Sequence, residues 1–344
     1  MVDTVTRRTN EVRYTSHYLD SYDVESSDMR RLYENAKRDQ WNASKDIDWD
    51  QPLDPDQGIL NMDLVDVKHT KYWDKLSPKQ RVEMNELFSA WRISQLLHGE
   101  QGAVLVCSHI ADTVDSIDSK FFMATQVMDE ARHTEVLSRY LAKRIPRYYP
   151  MGEGQRQLFD TLLTESKWYI KTIGLQLVGE TFAVSLFRLL GESSPDPLFR
   201  QVCRNILRDE SRHMGFGMIG LPGVVAELEP HELRELEDFT VQALYWTLRG
   251  GFTREAYEDM GFSKQEIEDI QQTRAQAAAG ETILFRRMFK KEMHQQVVNN
   301  LVRVGLLTER VAPRLADLGI KLEDHLEKAR GLTARDAVDE AIAA

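Results

Sequence analysis

Residues 129–133 read Asp-Glu-Ala-Arg-His, and residues 209–213 read Asp-Glu-Ser-Arg-His. A shorter echo precedes each: Gly-Glu-Gln-Gly-Ala-Val at 99–104 and Gly-Glu-Thr-Phe-Ala-Val at 179–184. Both pairs share one offset of 80 residues (99 to 179, 129 to 209), and in each half a lone glutamate stands 30 residues before a Glu-x-x-His (100 to 130, 180 to 210). On a helix, positions i and i+3 lie about 60° apart around the axis, so Glu130 shares a face with His133 and Glu210 with His213. Glu100 has Leu96, Leu97, Ala103 and Val104 one turn away, and Glu180 has Ile173, Leu177, Ala183 and Val184. Both lone glutamates therefore belong to apolar faces. A carboxylate buried there must pair, take up a proton or bind a cation.

Four helices that each turn such a group inward build a cage of Glu100, Glu130, His133, Glu180, Glu210 and His213. This is the ligand set of dinuclear carboxylate bundles. Hard oxygen donors with one imidazole per ion suit iron or manganese rather than a thiolate-seeking metal. A single Glu-x-x-His is an ordinary surface pair; the duplication, with an apolar-face glutamate before each copy, is what points to metal. Asp129 and Asp209 directly precede two of these glutamates, where a carboxylate can hold the free N–H of a metal-bound imidazole. Arg132 and Arg212 can neutralise those aspartates in turn.

Outward from this core the pattern is helical and all-α. Periodicity starts near Asp28, the Asp- and Pro-rich stretch 46–61 reads as loop, and helices are expected over 77–111, 116–144, 154–190 and 196–215. The last of these is expected to close on the glycine-rich run Gly-Phe-Gly-Met-Ile-Gly-Leu-Pro-Gly at 215–223. Further helices fill 228–250, 263–279 and 281–305. The expected organisation is an irregular segment at 1–27, a dinuclear-metal bundle at 28–250, and a helical extension at 251–344 packed on the same domain.

At 344 residues, 42% hydrophobic and 29% charged, the chain can bury a large core. A net charge of −11 argues against nucleic acid as a partner. No apolar run nears the roughly eighteen residues of a membrane span, and no apolar leader is visible, so neither membrane insertion nor secretion is expected. Cys107 and Cys203 offer no disulfide framework and suit a reducing cytoplasm.

In the order Glu, Asp-Glu-Ala-Arg-His, Glu, Asp-Glu-Ser-Arg-His, residues 28–215 resemble the oxygen-activating branch of the ferritin-like superfamily. That branch holds monooxygenase hydroxylase subunits, ribonucleotide reductase small subunits, related ligand-binding oxidases and arylamine N-oxygenases. The resemblance implies a ferritin-like four-helix bundle core with additional N- and C-terminal helices. It also implies Glu100 and His133 on one metal, Glu180 and His213 on the other, and Glu130 and Glu210 as bridges. Two irons, or one manganese and one iron, would activate O₂ to oxidise a small organic substrate, with electrons from a ferredoxin or reductase, in a homodimer. The marked positions of the subfamilies differ here. Leu137 stands where a radical tyrosine would be, with Tyr140 one turn on. Ile206 replaces an extra histidine ligand, Leu175 a crosslinking tyrosine, and Val184 a proton-managing threonine.

A radical-generating subunit, a ferroxidase or storage protein, and a non-enzymatic scaffold are the competing readings. Gly99 and Gly179 suggest close helix approach, or room beside the metals. His98 is expected between helices, and Cys107 and Cys203 as small buried hydrophobes. Trp41 and Trp49 match an N-terminal aromatic segment in which a tryptophan can relay electrons, though packing is the expected role. Met123, Leu137, Phe182, Phe187 and Phe216 are candidates for a pocket lining, though plain core is the expected role of each. The basic run Arg-Arg-Met-Phe-Lys-Lys at 286–291 is expected on a solvated helix face, or as a ferredoxin dock.

Overall fold

Ser26 accepts a hydrogen bond from the Met29 amide and starts α1 (Ser27–Arg38). This helix is pinned by Asp118, which is fully buried, accepts from the Glu25 and Ser26 amides and pairs with Arg30. A Ser77/Gln80 capping box with Pro78 in the first turn opens α2 (Pro78–Thr113), and Ser116 caps α3 (Ile117–Arg144). α4 (Glu153–Thr164) and α5 (Trp168–Ser193) follow. Asp196 then caps α6 (Pro197–Glu227). The remaining helices are α7 (Pro230–Arg249), α8 (Arg254–Asp259), α9 (Lys264–Ala279), α10 (295–303), α11 (Ala312–Ala316) and α12 (Leu322–Ala329). This computed structural model describes residues 8–249, 251–279 and 295–329, and no strand occurs among them. The basic run at 286–291 lies outside the described residues.

α2 packs along α3 and α5 along α6, the two helix pairs meet face to face, and α1 crosses α3 and α6. The apolar residues form two clusters stacked along the bundle. On α2 the change from one cluster to the other falls between Leu97 and Ala103, on α3 between Met123 and Val136, on α5 between Val178 and Phe187, and on α6 between Ile206 and Phe216. Each of the six candidate ligands sits at one of these four changeovers. They form a polar waist between two dry cores.

Two helix boundaries depart from expectation. The helix expected over 154–190 is two helices. Glu165 accepts from the Ser166 and Lys167 amides at 2.7 and 2.8 Å, and the buried Lys171 amine donates to the Leu162 carbonyl at 2.6 Å. These bonds satisfy groups that the break leaves open. In the other direction, α6 runs straight through the glycine-rich segment to Glu227, with Pro222 inside it. Packing overrides propensity there: a Cβ at Gly217 would stand 3.0 Å from the Leu177 side chain, so the glycine admits α5 rather than making a turn.

α5 is also wound as a π-helix over Ile173–Glu180, a feature with no signature in the apolar periodicity. By composition α5 could cross a membrane, but 67% of its most apolar window is buried inside the protein, as a core helix requires. The C-terminal helices close over this frame. α7 covers α4 and the π-helical stretch, α8 lies on α2, and Val297, Val298 and Leu301 of α10 join the first core.

The closest approach of α4 to α2 is at Gly102, where a Cβ would stand 2.4 Å from the Phe159 ring. Gly102→Val should therefore cost about 1–3 kcal/mol by overpacking. The melting temperature, read by scanning calorimetry, should fall by roughly 2–10 °C. An unchanged melting temperature would refute this packing.

Candidate metal centre

The waist brings together all six residues read from the repeats. Glu100 comes from α2, Glu130 and His133 from α3, Glu180 from α5, and Glu210 and His213 from α6, and none is more than 5% exposed. His133 Nδ1 lies 3.1 Å from Glu100 Oε2, 3.5 Å from Glu130 Oε2 and 3.2 Å from Glu210 Oε1. His213 Nδ1 lies 3.1 Å from Glu130 Oε1 and 3.4 Å from Glu210 Oε2. Glu130 and Glu210 thus each present one oxygen to either imidazole, the disposition of a bridging carboxylate, whereas Glu100 and Glu180 flank the group at its ends.

Both imidazoles point Nδ1 inward and Nε2 outward, and the outward nitrogens are held across the bundle. His133 of α3 meets Asp209 of α6 at 3.0 Å, and His213 of α6 meets Asp129 of α3 at 3.3 Å. The aspartates therefore brace the histidine of the opposite repeat. Arg132 bridges both aspartates, and Arg212 contacts Asp209 closely and Asp129 at 3.6 Å. Asp209 also accepts from Trp41 Nε1 at 2.7 Å. Trp41, expected to pack only, is thus linked through Asp209 to His133, with the Arg132 guanidinium 4.7 Å from its ring centroid. Gln40 of the same segment donates to Asp129 and accepts from Arg132.

Two glutamines escaped the sequence reading. Gln126 donates to Glu130 at 3.1 Å and to Glu180 at 2.7 Å, and Gln176 donates to Gln126 at 3.4 Å. Each stands four residues before a candidate ligand glutamate, a same-face spacing that could have revealed it.

The donors fit a pair of metal ions. Glu180 Oε2, Glu210 Oε2 and His213 Nδ1 are buried without a hydrogen-bond partner, a costly state unless a cation takes them up. Two sets of donor atoms, one from Glu100, Glu130, His133 and Glu210 and one from Glu180, Glu210 and His213, each lie within 4.8 Å of one another. Burial raises Glu100 and Glu180 well above the usual carboxylate range. For the histidines burial works downward but is outweighed. Asp209, Glu100, Glu130 and Glu210 raise His133, and Glu130, Glu210 and Asp129 raise His213. Glu130 is pulled well down because His213 and His133 together outweigh its burial.

On the glutamate side a cleft of about 1040 Å³, mouth included, opens between α2, α4, α5 and α7. Its walls include Leu96, Leu158, Phe159, Leu175 and Phe182, and it is bordered by Glu100, Glu130, Glu180 and Glu210. Of the candidate lining residues only Phe182 takes part. Met123 and Phe216 belong to one dry core, Leu137 and Phe187 to the other. They lie on helix faces above or below the waist, a distinction that spacing along one helix does not make. Gly99 and Gly179 both border the cleft, so their missing side chains leave room there. His98 bonds the Tyr149 carbonyl at 2.8 Å, joining α2 to the 145–152 connection. Tyr140 is fully buried with its hydroxyl donated to Asp196.

A sequence profile of the family described as p-aminobenzoate N-oxygenase AurF matches residues 24–304, well beyond the 28–215 span of the motif resemblance. No curated protein matches the chain. Among solved structures, a variant R2-like ligand-binding oxidase with an anaerobically reconstituted Mn/Fe cofactor is similar at 19% identity and a TM-score of 0.51. The alignment covers 85% of this chain and 99% of that one. The same oxidase after photoconversion is 18% identical, with a TM-score of 0.50 and coverage of 85% and 99%. Likeness at this level is one of fold. Ile206, where the arylamine N-oxygenases were expected to add a histidine, is fully buried in apolar surroundings, so this chain has six candidate ligands rather than seven.

Two predictions follow from the geometry. Protons on the histidines and on Glu100 and Glu180 must leave when cations bind, so affinity for ferrous or manganous ion should rise with pH, with net proton release in calorimetry. A flat pH profile would contradict the assignment. Asp209→Asn should weaken metal binding by about 10–100-fold, measured by chelator competition, because the brace on His133 loses its charge. Wild-type affinity in this variant would mean that the brace is ornamental.

Proposed function

The chain belongs to the p-aminobenzoate N-oxygenase AurF family, O₂-dependent oxidoreductases with a dinuclear metal centre, and from that premise we propose how its own residues serve the chemistry. Glu100, Glu130, His133, Glu180, Glu210 and His213 hold the two ions, with Asp129, Asp209, Arg132 and Arg212 supporting the imidazoles. Bound by these residues, two irons, or a manganese and an iron, would supply the redox chemistry for O₂-dependent oxidation of a small organic substrate. The observation that carries this assignment is the waist itself, six inward-facing donors with orphaned oxygens beside an apolar cleft.

The protein's contribution is positioning. Gln126, bonded to both Glu130 and Glu180, fixes the carboxylates on the α5 side. The cleft walls exclude water from the reacting face, which strengthens every charge interaction inside. Electrons from an external donor reach the centre through Trp41, Asp209 and His133, a hydrogen-bonded line that begins at an aromatic ring and ends at a candidate ligand. That donor, a ferredoxin or reductase, and a homodimeric assembly are expectations of the same reading.

The substrate is a small aromatic anion with an oxidisable amine. Arg92 lines the cleft eight residues before Glu100, about 12 Å along the helix, a span that one ring with substituents at opposite ends bridges. Its guanidinium lies 5.2 and 5.3 Å from the Phe88 and Trp91 ring centroids and has no carboxylate partner among the described residues. Burial and the nearby Arg274 both disfavour its charge, so an incoming carboxylate would relieve it.

The reading is tested with protein loaded to two ions per chain, supplied with reductant, ¹⁸O₂ and p-aminobenzoate. Label on the amine nitrogen is expected, and oxygen uptake without any labelled product would reject the substrate class. Arg92→Met should raise KM for the carboxylate-bearing amine by roughly 10–150-fold, the value of a charged hydrogen bond. It should leave KM for the uncharged amine nearly unchanged; equal effects on both would assign Arg92 to packing.

A further inference from the structure

Cys107 is a small buried residue of the first core, as expected, and it also borders the waist. It stands on α2 seven residues after Glu100, two turns along the same face, and is fully buried. Its sulfur and one carboxylate oxygen from each of Glu130 and Glu180 lie within 4.8 Å of one another. Glu180 is 4% exposed, and its Oε2 has no hydrogen-bond partner. Cys203 is an equally buried thiol in the other apolar cluster, packed against Gly191, and among the described residues it belongs to no group of metal-binding side chains.

We propose that Cys107 is a self-oxidation site: when O₂ is reduced at the centre without an organic substrate in the cleft, the thiol sulfur takes the oxygen atom. This rests on the dinuclear-centre reading above. The Cys107 sulfur, within 4.8 Å of carboxylate oxygens of two candidate ligands, is a soft, oxidisable group beside the centre. The step balances as one thiol, one O₂, two electrons and two protons giving one sulfenic acid and one water. Sulfur loses two electrons, the external reductant supplies the other two, and the S–H bond is replaced by S–OH. Cys203 lies in the separate core, so no second thiol is at hand to resolve the product as a disulfide. A further cycle carries it to the sulfinic acid, which ordinary thiols do not reverse. An empty cleft thus has a chemical consequence for the protein, because a negative sulfinate would then stand against Glu130 and Glu180.

The test uses the full chain loaded with iron and cycled between a chemical reductant and ¹⁸O₂, with catalase present and no organic substrate. Oxygen uptake is recorded, and after denaturation, alkylation and trypsin digestion the peptides are weighed. The expected result is one or two labelled oxygen atoms on peptide 93–120, which holds Cys107, in a fraction that grows with each cycle. Peptide 201–204, which holds Cys203, and the metal-free protein should stay unlabelled. Oxygen uptake with Cys107 still fully alkylatable overturns the proposal alone, as does equal oxidation of both cysteines. Absence of oxygen uptake overturns the dinuclear-centre reading, and this proposal with it.

Discussion

Four carboxylates buried in the middle of a helical bundle set the terms for everything around them. Glu100, Glu130, Glu180 and Glu210 are all but withdrawn from solvent, and dry cores above and below offer no compensation. The bundle balances them in two layers. The outer layer is neutral within itself, Asp129 and Asp209 against Arg132 and Arg212. The inner layer, four glutamates and two histidines, reaches neutrality either by holding protons or by holding two divalent cations opposite four carboxylates. The raised histidines and end glutamates describe the first state, and the orphaned oxygens point to the second. Metal loading is then an exchange of cations for protons at nearly constant charge, which lets the fold accept either.

The two sides of the waist are built for different tasks. Towards α1 it is closed by Gln40, Trp41 and the arginine–aspartate layer, which hydrogen bonds and ion pairs link together. Towards α4 and α7 it is open, and the walls are aliphatic and aromatic. Electrons suit the first side, where hydrogen bonds are continuous, and an organic molecule suits the second. The π-helical winding of α5 falls on the open side and ends at Glu180. α2, which carries the equivalent Glu100, is regular throughout. Two halves with near-identical motifs are thereby made unequal at the face where substrate enters.

The ligand set and the bundle were legible because both depend on spacing: a 30-residue step and an i, i+3 pair place side chains on a face whatever lies beyond. What spacing cannot convey is which level of the bundle a residue reaches: Met123, Leu137, Phe187 and Phe216 are core, as expected of each singly, and only Phe182 of that group lines the cleft. The partners of the aspartates were likewise hidden, since Asp129 and His133 share a helix but Asp129 serves His213. The run at 215–223 was misread because Gly217 answers to the neighbouring helix rather than to a turn in its own backbone. The break at Glu165–Lys167 depends on side-chain bonds from Glu165 and Lys171 that no periodicity announces.

The crossed braces also bear on where such a chain comes from. Each imidazole finds its outer support only on the other repeat, so one helical hairpin, alone, has a histidine without its brace and an aspartate with no imidazole to hold. The smallest unit that completes the arrangement is a pair of hairpins. An ancestor with a single copy would have had to meet its twin to function. Fusion of the two into one polypeptide then freed each half to diverge: one could keep its regular helix while the other acquired a distorted one, an asymmetry that identical subunits could not have explored separately.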